Sequence, residues 1–110
     1  MYIRKPAVAG SFYPGDRDKL KKVISSYFTE AGNISGEFND RRVIGIVSPH
    51  AGYIYSGPVA AYGFNYLAKE NFQSYLVLAP SHRGRFKGAS IIPKGIYKTP
   101  LGDAEIDSDI

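Results

Sequence analysis

The sequence predicts an α/β protein built on a βαβ unit with a mainly parallel sheet. Three observations carry that expectation. Val43-Ile-Gly-Ile-Val47 and Tyr75-Leu-Val-Leu-Ala79 are short, continuous apolar runs, the composition of strands covered on both faces. Between them, residues from Gly57 to Leu67 place apolar side chains at helical spacing. Strand, helix, strand in that order requires a crossover and therefore parallel strands.

Each element has a local cause. Residues 1–15 read as an irregular arm, with Pro14-Gly15 as a turn. Asp16 suits an N-cap, and Leu20, Val23, Ile24, Tyr27 and Phe28 line one face of a helix over Arg17–Ala31 that Gly32 stops. Residues 32–42 are polar and loop-like. Gly57-Pro58 opens a second helix, with Val59, Tyr62, Gly63, Tyr66 and Leu67 on its buried face. Residues 89–92 are a third strand, and 95–106 a hairpin or meander around Pro100-Leu-Gly-Asp103.

At 110 residues the chain is one small domain at most, either a single domain or the N-terminal fragment of one. Asp107-Ser-Asp-Ile110 resembles the capped start of another helix, and so short a parallel sheet leaves faces to cover. The expectation is that residues 1–110 form the N-terminal part of a larger α/β domain.

Composition excludes several classes. With no cysteine, neither disulfides nor thiolate metal sites can form within these residues. No apolar run reaches the roughly 20 residues of a membrane span, and the N-terminus lacks a signal-peptide core, so a cytoplasmic protein with no membrane partner is expected. The net charge of +4 gathers at Lys19–Lys22, Arg41-Arg42 and Arg83–Lys87 without a nucleic-acid motif, so no nucleic-acid partner is expected. No phosphate-binding glycine loop follows either predicted strand.

The chemistry concentrates at the two histidines. His50 lies in Ile46-Val-Ser-Pro-His-Ala-Gly52 and His82 in Leu78-Ala-Pro-Ser-His-Arg-Gly84, each just past the carboxyl end of a predicted strand. Ligands of α/β sheets bind at that edge. Neighbouring strands lie about 4.8 Å apart, so two imidazoles leaving them can converge on one metal ion. Two histidines with one carboxylate would form the facial triad of non-haem Fe(II) sites. Asp103, Glu105 and Asp107 are the nearest acidic cluster, but their spacing does not aim them at the histidines. A general base with an orienting partner is the other functional use of the pair. The placing of Ser48 and Ser81 does not suit a Ser-His nucleophile. Tyr53, Tyr55 and Arg83, beside the histidines, are candidate substrate-binding residues.

Four motifs, "AGSFYPGD" at 9–16, "SPHAGYIYSG" at 48–57, "APSHRG" at 79–84 and "IYKTPLGDAEID" at 96–107, together resemble the Memo (mediator of ErbB2-driven cell motility) family. The resemblance implies a fold similar to class III extradiol (LigB-type) dioxygenases, in chains well over twice this length. It implies a metal pocket containing His50 and His82, with Fe(II) or copper as cofactor and a third ligand far downstream. It further implies a metal-dependent oxidoreductase or, as the alternative, a module that binds a peptide or anion in the same cleft without chemistry. A small-molecule or peptide ligand, and AMMECR1-like or radical SAM protein partners, are implied on the same ground. Catalytic residues and oligomeric state are not implied.

Overall fold

A computed structural model of the chain describes residues 1–32 and 40–110. Its elements are β1 (Tyr2–Arg4), α1 (Arg17–Ala31), α2 (Tyr53–Leu67), β2 (Gly95–Thr99) and β3 (Gly102–Glu105). The sheet order is β1-β2-β3, with β1 parallel to β2 and β2 antiparallel to β3. The α/β class stands, in a mixed sheet with one parallel pair, but that pair joins β1 to β2 and not the runs at 43–47 and 75–79 from which the βαβ unit was expected.

α1 forms where its signals place it. Asp16 Oδ1 accepts the Lys19 amide at 2.9 Å, and the Gly32 amide closes the other end on the Phe28 and Thr29 carbonyls. Leu20 is 3% exposed and Ala61 of α2 is 4% exposed; these are the buried apolar residues of the described chain. α1 packs on α2. The helices approach closely at Gly57, where an added Cβ would lie 2.8 Å from Tyr27 Cδ2, so a larger residue must push the ring aside.

α2 begins at Tyr53, one turn earlier than Gly57-Pro58 suggests, and Pro58 lies inside it. The early start is fixed from outside the helix: the Tyr53 amide donates to the Phe12 carbonyl at 2.8 Å. Ser56 Oγ accepts the Ala51 amide at 2.9 Å. The buried face also differs. Ser56 and Ala61 are buried, whereas Val59 and Tyr62 are exposed.

The predicted strands at 43–47, 75–79 and 89–92 carry no strand pairing among the described residues. The Val43 amide donates to the Glu70 carboxylate at 3.1 Å rather than to a strand carbonyl. Ile44, Val77 and Leu78 are 87%, 83% and 85% exposed. Continuous apolar composition marks these runs for burial, but the ladder partners and covering layers that parallel strands need are not supplied by the described residues.

β1 lies within the arm expected to be irregular, and it is only three residues long. It pairs Tyr2 with Gly95 and Arg4 with Tyr97. Gly95 permits this contact: an added Cβ would clash with the Tyr2 carbonyl group, and its φ of 154° disfavours other residues. The hairpin predicted over 95–106 forms as β2 and β3, with Thr99 facing Gly102 across Pro100-Leu101. The loop expected over 32–42 lies, at 33–39, outside the described residues.

Candidate metal centre

His50 stands three residues before Tyr53, the first residue of α2, in a segment held by the Ser56 hydroxyl on Ala51 and by the Phe12 carbonyl on Tyr53. His82 stands inside a turn closed by Ser81, whose Oγ donates to the Gly84 carbonyl at 2.7 Å and accepts its amide at 3.2 Å. These two loops bring the rings together, with centroids 5.3 Å apart and planes inclined by 51°. His50 Nε2 and His82 Nε2 are 3.1 Å apart, and both side chains are exposed.

That separation admits two occupants. A proton on one Nε2 can be donated to the lone pair of the other. Alternatively both lone pairs can face one ion. At the usual metal–imidazole distance of about 2.0–2.1 Å, a 3.1 Å nitrogen separation subtends an angle of about 100° at the ion, between octahedral and tetrahedral values. The pair therefore fits adjacent positions on a transition metal. Among the described residues, no group of three or more histidine, cysteine, aspartate or glutamate side chains is placed to hold one.

The histidines line an open groove of about 890 Å³. One part of its wall is apolar, from Ala7, Val8, Phe12 and Pro49. Arg4, Arg83, Ser56 and Ser81 add polar groups, and among the described residues no carboxylate contributes. Of the residues singled out in the sequence, the groove gathers His50, His82 and Arg83. Tyr53 and Tyr55 are not on its wall. Tyr53 packs against Tyr13, with ring centroids 5.3 Å apart, while Tyr55 is exposed on the first turn of α2. Burial, aided by the nearby Tyr13, raises the Tyr53 phenol above its ordinary value. The acidic cluster is also elsewhere: Asp103 pairs with Lys98, and Asp107 accepts from Ser74 and from the Asp109 amide. Those two hydrogen bonds hold the Asp107 carboxyl below its ordinary value.

Arg4 and Phe12 were missed as groove residues. The arm that carries them has no catalytic pattern, and the β1–β2 pairing that fixes it spans nearly the whole chain.

The fold and groove define a small α/β unit with a paired-histidine site. Comparison with known proteins then places it. Residues 4–110 match the family model described as Memo-like protein. The chain is 42% identical over 108 residues to a MEMO1 family protein of Thermoplasma volcanium, covering 98% of this chain and 38% of that one. It is 45% identical over 115 residues to a MEMO1 family protein of Sulfurisphaera tokodaii, covering 98% and 40%. A MEMO1 family protein of Thermotoga petrophila is 45% identical over 111 residues, covering 94% and 40%. The chain belongs to the Memo family and spans about two fifths of the length of these relatives. No solved structure matches it. Among the described residues, no helix is long and apolar enough to cross a membrane.

Proposed function

We propose that the groove is part of a metal-dependent oxidoreductase site in which His50 Nε2 and His82 Nε2 hold one Fe(II) or copper ion. The observation that carries this reading is the 3.1 Å convergence of the two ring nitrogens. When bound, the metal supplies Lewis acidity and a redox centre. The chain's own residues do the rest. The Ser81–Gly84 turn and the start of α2 fix the two rings, and Arg83 orients a ligand on the groove wall. Tyr53 contributes by anchoring the first turn of α2 against Tyr13. Among the described residues no third ligand joins the pair. The likeness to LigB-type dioxygenases makes O₂-dependent oxidation of a small molecule the reaction class to screen.

The test is anaerobic titration with Fe(II) and Cu(I), beside a His50→Ala, His82→Ala double variant. Stoichiometric binding that the variant loses supports the reading. Equal binding by both proteins, or binding by neither, rejects it.

A second reading is a binding module that takes an anionic small molecule or peptide in the same groove without chemistry. Arg4 and Arg83 on the groove wall favour it. It requires metal-independent ligand binding that Arg83→Ala abolishes and salt weakens.

A further inference from the structure

The charge around the histidine pair is one-sided. Arg4 and Arg83 line the groove with His50 and His82, while among the described residues no aspartate or glutamate does. Among the described residues neither guanidinium has a carboxylate partner; the ion pairs there are Arg42–Glu70 and Lys98–Asp103. Arg4 instead lies over the Tyr97 ring, 5.6 Å from its centroid, so β1–β2 pairing holds it beside the site. Arg83 is fixed in sequence next to His82, within the Ser81–Gly84 turn.

Such a site opposes the ion it is shaped to hold. Imidazole ligands are neutral, so a divalent ion on the pair keeps its full charge in the company of two fixed cations. An anion in the groove removes that conflict. Guanidinium forks match carboxylate oxygens, and the Ala7, Val8 and Phe12 wall can bury an apolar body attached to them.

We propose that Arg4 and Arg83 form an anion subsite for a carboxylate with an apolar body, and that this anion and the metal bind cooperatively. The proposal rests on the histidine pair's being the metal site. Linkage makes the coupling reciprocal: the anion raises metal affinity by the factor by which the metal raises anion affinity.

The probe is Co(II), followed by its visible absorption in the longest form of the protein that the gene encodes. Titrations are run alone, with cyclohexanecarboxylate and with acetate, at equal ionic strength. Cyclohexanecarboxylate is expected to tighten Co(II) binding about five- to tenfold or more, and acetate less. Arg83→Gln, at an exposed position, is expected to keep Co(II) binding, to tighten it slightly without the anion, and to lose most of the enhancement. Arg4→Gln is expected to do the same. Co(II) binding that neither carboxylate improves, or enhancement unchanged in both arginine variants, overturns the anion subsite and leaves the histidine site intact. No Co(II) binding under any condition overturns both.

Discussion

His50 Nε2 and His82 Nε2 face each other at 3.1 Å although each belongs to a separate loop, one leading into α2 and the other closed by Ser81 and Gly84. Their packing does little for the fold, because both side chains are exposed. Their geometry suits a shared ligand.

Single substitution of either histidine separates site from scaffold. His50→Ala and His82→Ala are each expected to change stability by no more than about 0.5 kcal/mol, as exposed side chains away from caps and core. Each is expected to weaken metal binding by about 100-fold or more, since loss of an outer-shell partner alone costs about 10–100-fold. Urea unfolding of the apo protein and metal titration measure the two effects separately.

Gly57→Ala is expected to destabilise the chain by about 1–3 kcal/mol, because the new methyl meets the Tyr27 ring between α1 and α2. Tyr27→Ala removes that obstacle, so the two substitutions should be non-additive, with the alanine at 57 costing far less in the double variant. A double-variant cycle of urea midpoints checks this.

Loss of the α1 cap has a smaller cost. Asp16→Ala removes the carboxylate that accepts the Lys19 amide and should lower stability by about 1 kcal/mol, with Asp16→Asn or Asp16→Ser largely restoring it. Thermal unfolding followed by helical circular dichroism reads the difference.

The Tyr53 phenol gives a signed alkaline dependence. Burial first, then Tyr13, raises it above the ordinary 10.0. The folded state therefore favours the protonated phenol. Its contribution to stability is complete below the unfolded value and is lost as pH rises through the higher folded value. Tyr53→Phe should flatten the alkaline limb of stability measured between about pH 9 and 12.

Sequence and structure agree where the signal is local. Asp16, five apolar positions at helical spacing and Gly32 define both ends of α1. The hairpin was legible from Pro100-Leu-Gly102. The matched settings of His50 and His82 announced their convergence, although the strands used to argue it are unpaired among the described residues. What was hidden depends on distant partners. β1 is three residues that pair with Gly95–Tyr97, and α2 starts early because Phe12 holds its first amide. Proline is common in a helix's first turn, which pointed to Gly57-Pro58, but an external acceptor outweighed that signal. Tyr53 and Tyr55 were drawn to the site by proximity in sequence, whereas the helix carries them off the groove wall.

The most direct measurement of the central claim is ¹⁵N NMR of the histidine rings during Zn(II) addition, with Zn(II) as a diamagnetic stand-in. Metal held by the pair predicts that Nε2 of His50 and Nε2 of His82 shift together and saturate at one ion per chain, while in the metal-bound form each Nδ1 has the signature of a protonated ring nitrogen. Shifts at only one ring, at Nδ1 rather than Nε2, or at neither would contradict it.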